Sequence, residues 1–147
     1  MLYFHHNASK TRSVAFGICR SEGASLPIVK SFGTQRVIND KYSDREMWLA
    51  LNDMKTMGDW RWTRGDKTTE RLRGYTNWKR KEPTTGSVGR LQRCVKTKVH
   101  WNNYPCITTM QFLCQKRKTG RWFFFLFGSL QINQCRCCCC CCKSKHK

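Results

Sequence analysis

The stretch VHWNNYPC, residues 99–106, and the turn KEPTTG, residues 81–86, decide how this chain is read. A Glu-Pro turn and a Trp-Asn-Asn step can bring oxygens from two loops to one cation. Three of the polar residues concerned, Thr84, Asn102 and Asn103, carry no charge. Calcium takes six to eight oxygen ligands and binds more tightly as more of them are charged. The two segments therefore describe a loop apex with the outline of a cation site and little of its charge.

Working outward, residues Cys94–Lys98 and Gln111–Gln115 (QFLCQ) flank this apex as two strands that close the body of the chain. Upstream, WLAL at 48–51 reads as a buried strand. DWRWT at 59–63 alternates polar and aromatic residues with the period of a half-buried one. Residues 64–92 are rich in Gly, Thr, Lys and Arg and form a long loop, which in a compact domain is usually functional or disordered; Tyr75 and Trp78 argue for order. Further back, Val14, Ala15, Ile18 and Cys19 recur at helical spacing between Lys10 and Glu22, with Ser9 as N-cap and Gly23 just past the end. Leu26–Val29 is a short extended apolar run, and Gln35–Tyr42 is a second helix with Val37, Ile38 and Tyr42 facing inward. Two helices preceding most of the strands give an α+β architecture.

At 147 residues the chain is one domain's worth of sequence. Its formal charge is +19: residues 1–115 hold 20 Lys and Arg against 9 Asp and Glu, and residues 116–147 hold 8 basic residues and no acid. Such an excess favours polyanionic partners, namely nucleic acid, anionic membrane or sulfated glycan, without choosing among them. No nucleic-acid reader motif is present, and no nucleophile or acid–base constellation that an enzyme would need. His5, His6 and His100 lack zinc-ligand spacing and read as surface or packing residues. Cys19, Cys94, Cys106 and Cys114, four well-spaced cysteines without a C-x-x-C pair among them, read as two disulfides formed in an oxidising compartment, hence a secreted protein. MLYFHHNASK contains no signal peptide. The expectation is a chain truncated at its start, with Leu2, Tyr3 and Phe4 a strand entered partway. Asn7-Ala8-Ser9 has the pattern of a glycosylation acceptor.

Taken together, AFGICRSEGASLPIV, WLALND, DWRWTRG, YTNW, KEPTTG, RCV, HWNNYPC and FLCQ resemble the landmarks of the C-type lectin-like domain, in order and spacing, over nearly all of residues 1–115. The resemblance implies an α+β double-loop fold of two helices, antiparallel strands and a long loop. It pairs Cys19 with Cys114 across the ends and Cys94 with Cys106 across the long loop. It also puts Trp48, Trp60, Trp62 and Trp101 in the core, with Trp78 as an anchor of the loop.

In the sugar-binding members that this chain resembles, calcium sits at the top of the long loop among carboxylates and amides that also bond sugar hydroxyls. The family's Glu-Pro-Asn becomes Glu82-Pro83-Thr84, at a position often cis. The acid two before the third disulfide cysteine becomes Gln92, and Trp-Asn-Asp becomes Trp101-Asn102-Asn103. The resemblance thus assigns carbohydrate binding to Glu82, Thr84, Gln92, Asn102 and Asn103, and calcium to Glu82, Asn102 and Asn103, with one formal negative charge where binding members have about three. Lys81 and Arg93 flank these residues, and 61–93 holds ten basic residues against Asp66, Glu70 and Glu82. Thr85 and Arg93 stand where the family often places acids for an auxiliary calcium. The expectation is an extracellular carbohydrate-recognition module with calcium-dependent sugar binding weakened or lost. The alternative is a calcium-independent module whose cationic loop, Arg64, Lys67, Arg71, Arg73, Lys79, Arg80 and Lys81, binds sulfated or sialylated polymers or a protein partner.

Residues 116–147 differ in composition from this body and read as a low-complexity basic, cysteine-rich tail. WFFFLFGSLQI, 122–132, is about half the length of a membrane-spanning helix. Cys137–Cys142 form a homopolymer run with neither disulfide nor zinc-site spacing. Translated noncoding sequence past a mispredicted exon end accounts for the run better than an acylated cysteine string, which would need a cytosolic face.

Overall fold

In the computed structural model, residues 1–117 are described, and the expectations for the tail beyond them lie outside the described residues. The sheet is organised around β2 (Met47–Asn52), whose six residues MWLALN are all buried. A strand covered on both faces needs such an unbroken apolar run. β2 has partners on both edges. One edge takes β7 (Met110–Lys116) in parallel through Met47 and Trp48, then β3 (Arg61–Thr63) antiparallel through Leu51 and Asn52. The other edge takes β5 (Cys94–Thr97) antiparallel, with a register irregularity between Trp48 and Asn52.

The first and last described strands meet: β1 (Leu2–Lys10) pairs antiparallel with β7 from Leu2↔Lys116 to His6↔Phe112 and, after an irregularity, at Lys10↔Met110. The strand foreseen at Leu2–Phe4 thus runs on to Lys10. β4 (Thr69–Arg71) pairs with β3 and β6 (Trp101–Tyr104) with β5. Neither β4 nor β6 has an apolar run of its own. Each residue of Thr69–Arg71 is exposed, and the Trp-Asn-Asn-Tyr of β6 carries strand alternation across residues that sequence reading assigns to a loop.

Helix α1 (Arg12–Ser21) buries Ala15 and Cys19. Its N-cap is Thr11 rather than Ser9, because Ser9 still lies within β1, in the irregularity between His6 and Lys10. It closes on Gly23, whose φ of 66° belongs to the left-handed region and lets the Gly23 and Ala24 amides reach back to Arg20 and Cys19. Helix α2 (Phe32–Tyr42) starts three residues earlier than expected. The Ser31 side chain accepts from the Thr34 amide, which supplies the cap. Ile38 is buried, but Val37 is exposed, since the inward face runs through Gln35 and Ile38. Leu26–Val29 remains irregular although Leu26 and Val29 are fully buried.

Both disulfides form as the resemblance implies, Cys19–Cys114 spanning 95 residues and Cys94–Cys106 spanning 12. Closing loops of those lengths removes about 4–5 and about 3 kcal/mol of unfolded-chain freedom, on an entropic account. Trp48, Trp62 and Trp101 lie in the core, and Trp60 packs partly buried against it.

Candidate functional site

Trp101 carries the long loop. Its indole is buried, donates from Nε1 to Gln35 Oε1 at 2.7 Å, and meets Trp62, Tyr75 and Trp78 edge-on at 5.6, 5.9 and 5.6 Å. Trp78 also meets Trp60 at 5.2 Å. Backbone bonds from Trp101 N–H to Asn77 and from Lys79 N–H to Trp101 fasten the loop to β6 on both sides of Trp78. Trp78 is therefore the anchor that its position suggested.

With the loop held there, the polar residues predicted from sequence do converge. The Glu82–Pro83 bond is cis. Glu82 Oε2 accepts from the Thr84 amide at 2.8 Å and the Thr84 hydroxyl at 2.9 Å, and Glu82 Oε1 accepts from Asn102 Nδ2 at 3.3 Å. Asn103 is buried: its Oδ1 accepts from the Thr84 amide at 2.8 Å, and its Nδ2 donates to the carbonyls of Thr84 at 2.9 Å and Gln92 at 3.1 Å. The side-chain oxygen of Gln92 is buried with no hydrogen-bond partner among the described residues. Gly89, in the four-residue helix α3 (Gly86–Gly89), lies so close to this turn that a Cβ would meet the Thr84 carbonyl at 2.5 Å.

This donor set does not fit calcium well. Both oxygens of the single carboxylate are engaged by donors of the chain itself, and Asn103 Oδ1 is engaged too. The Asn103 amide nitrogen faces two carbonyls, where a carboxylate would face them with repulsion. What is left is the unpartnered oxygen of Gln92 and the carbonyl oxygen of Asn102, both neutral, and affinity for calcium follows the count of charged ligands.

Beside this apex lies an open cavity of about 100 Å³, walled by Asp53, Met57, Gly58 and Trp60 on one side and by Pro83, Thr84 and Gly86 on the other. The cationic residues of the loop divide into two groups. Arg64 pairs with Glu70 at 2.8 Å and Arg71 with Asp59 at 2.8 Å, both at the β3–β4 edge. Lys67, Arg73, Lys79, Arg80 and Lys81 have no ion-pair partner among the described residues. The guanidinium groups of Arg71 and Arg61 hold the Asp59 carboxyl below the usual range, and Lys30 and Arg64 do the same to Glu70.

The histidines pack. His5 stacks on Tyr42 and His6 on Phe112, while His100 bonds Asn77. His6 and Glu22 do gather near Cys114, but that sulfur is spent in the disulfide to Cys19. The cavity beside the apex had no signal in sequence, because its walls come from segments about thirty residues apart that are mixed in polarity.

Paired first and last described strands, two long helices, two disulfides and a long loop folded back onto a core tryptophan define a double-loop domain of α+β class. The family profile described as the lectin C-type domain matches residues 8–116, and the chain belongs to that family. Among curated relatives, human asialoglycoprotein receptor 2 is 26% identical over 123 residues, 80% of this chain and 38% of the receptor. Rat versican core protein is 32% identical over 119 residues, 78% of this chain and 4% of that protein. The chain thus spans well under half the length of these relatives. Among solved structures, the Kupffer cell C-type lectin receptor Clec4f superposes with a TM-score of 0.67 at 28% identity, covering 80% of this chain and 78% of that one. The cow CD23 carbohydrate-recognition domain gives 0.69 at 22%, covering 80% and 88%, and a calcium-independent type II antifreeze protein 0.62 at 22%, covering 78% and 84%; these two show the fold alone. The family is one of carbohydrate-binding, non-enzymatic domains.

Proposed function

We propose that this domain is an extracellular carbohydrate-recognition module in which calcium-dependent sugar binding is weakened or lost. The observation that carries the reading is the saturation of Glu82, the one carboxylate at the apex, by Thr84 and Asn102. A calcium ion bridging to sugar would have to break those bonds and draw its remaining ligands from neutral amides, amid the charges of Lys81 and its neighbours. Calorimetric titration with calcium tests this: no binding tighter than about millimolar, the weak end for extracellular modules, is expected, and a tighter constant overturns it. A glycan array run with and without chelator should give the same pattern of retained ligands.

A second reading has its own support. Lys67, Arg73, Lys79, Arg80 and Lys81 lie along one loop without an ion-pair partner among the described residues, which suits calcium-independent binding of sulfated or sialylated polymers. Retention on heparin that is insensitive to chelator and lost with modest salt supports it, and elution by a neutral monosaccharide removes it.

A further inference from the structure

We propose that Arg93 is the resident cation of Asp53, a wall residue of the cavity beside the apex, doing for the 53–58 segment what a bound divalent ion would otherwise have to do. The inference starts from Asp53, whose side chain is only 4% exposed. A carboxylate so buried requires a positive partner or several donors, because its desolvation is otherwise too costly. The partner is the chain's own guanidinium. Arg93 Nε lies 2.7 Å from Asp53 Oδ1, and Arg93 Nη2 donates to the Asp53 backbone carbonyl.

The contact is reciprocal, since the Asp53 amide donates to the Arg93 carbonyl at 3.1 Å. The second carboxylate oxygen, Oδ2, accepts from the Gly58 amide at 2.7 Å, which closes the segment 53–58 into a short loop. One planar guanidinium therefore meets a side-chain oxygen and a main-chain oxygen of the same residue. Arginine suits such a fork and a lysine ammonium does not.

Place gives the bridge its consequence. Asp53, Met57 and Gly58 line the cavity, and Arg93 precedes Cys94, where β5 begins its pairing with β2. The facing wall is fixed by Asn103 through Thr84 and Gln92. Both walls are thus held by side chains of the protein, so the cavity keeps its shape without a metal. This goes beyond the reading of Glu82, which concerns the other side of the turn, and either can fail alone.

Hydrogen exchange on the full chain, read segment by segment, tests the inference. Protection of residues 53–60 should be the same in millimolar calcium and in excess chelator. Arg93→Gln, which keeps bulk and removes charge, should lower that protection at least about ten-fold while the β1–β7 pair keeps its own. Adding Asp53→Asn to Arg93→Gln should restore part of it, because the orphaned charge is then gone. Loss of protection in the wild-type chain on chelation overturns the proposal, as does an Arg93→Gln variant with unchanged protection. The chelator comparison needs no variant, so a misfolded substitution leaves the proposal open to refutation. Calcium bound tightly at Glu82 with 53–60 unaffected would reject the proposed function and leave this inference standing.

Discussion

At Asn103 an amide performs work that a carboxylate is unable to do. Its Nδ2 donates to the carbonyls of Thr84 and Gln92, and its Oδ1 receives the Thr84 amide. Asn103→Asp keeps the shape and the acceptor but turns two hydrogen bonds into oxygen–oxygen contacts in a buried place. The expected loss is about 1–3 kcal/mol in denaturant unfolding with chelator present. Arg12 raises a related question, because it is buried and contacts no acid among the described residues. Its guanidinium donates to the carbonyls of Leu49 and Ala50, and burial pushes its pKa down to about 10, which leaves it charged at neutral pH. Arg12→Lys retains a buried cation while reaching fewer acceptors, and should cost about 1–3 kcal/mol. Arg12→Met removes the buried charge and should cost less than the lysine, measured in the same titration. The reverse order would mean that the carbonyls matter more than the charge.

Among the elements, the long loop separates what sequence conveys from what it conceals. WLALN declares β2 by its unbroken apolar run, and the cysteine and tryptophan landmarks declare the fold. β4 and β6 stayed hidden, since Thr69–Arg71 becomes a strand only by pairing with β3 and Trp101–Tyr104 only by pairing with β5. The residues of the apex could be named from sequence, but their saturation by one another could not, because it arises between segments twenty positions apart. Gly89 puts a magnitude on that turn. Helix propensity alone would credit Gly89→Ala with up to about 1 kcal/mol. The added Cβ meets the Thr84 carbonyl, and overpacking costs about 1–3 kcal/mol, so net destabilisation is expected on thermal unfolding. The β3–β4 edge should also respond to acid. Asp59 and Glu70 have folded pKa values held below their ordinary 3.8 and 4.5 by Arg71 with Arg61 and by Lys30 with Arg64 respectively. Groups lowered in this way stabilise the fold above those ordinary values, and the contribution fades as pH falls below them through the lowered ones. A midpoint that is flat above about pH 5 and declines below it is the expected profile.

Over the whole molecule, ion pairing sorts the excess charge. Seven of the nine acids, Glu22, Asp40, Asp44, Glu46, Asp53, Asp59 and Glu70, lie in ion pairs or beside a histidine. Of the cations without an ion-pair partner among the described residues, Arg73, Lys79, Arg80 and Lys81 stand close in sequence on the second half of the long loop. A surface pair such as Arg64–Glu70 contributes little to stability, and its charge is already balanced at short range. The unpaired cations, in contrast, set the field that an approaching polyanion meets, and that field is screened over about 8–10 Å at physiological salt. Two variants separate these roles. Neutralising Arg73, Lys79, Arg80 and Lys81 as glutamines should lower the salt needed to elute the domain from heparin by roughly half, with the unfolding midpoint unchanged. Neutralising Arg64 and Arg71 in the same way should move elution less, because Glu70 keeps Lys30 and Asp59 keeps Arg61 as partners and the unpaired cations of the loop are untouched. Equal shifts from both variants would mean that total charge, rather than its distribution along the loop, governs attraction to anionic glycans.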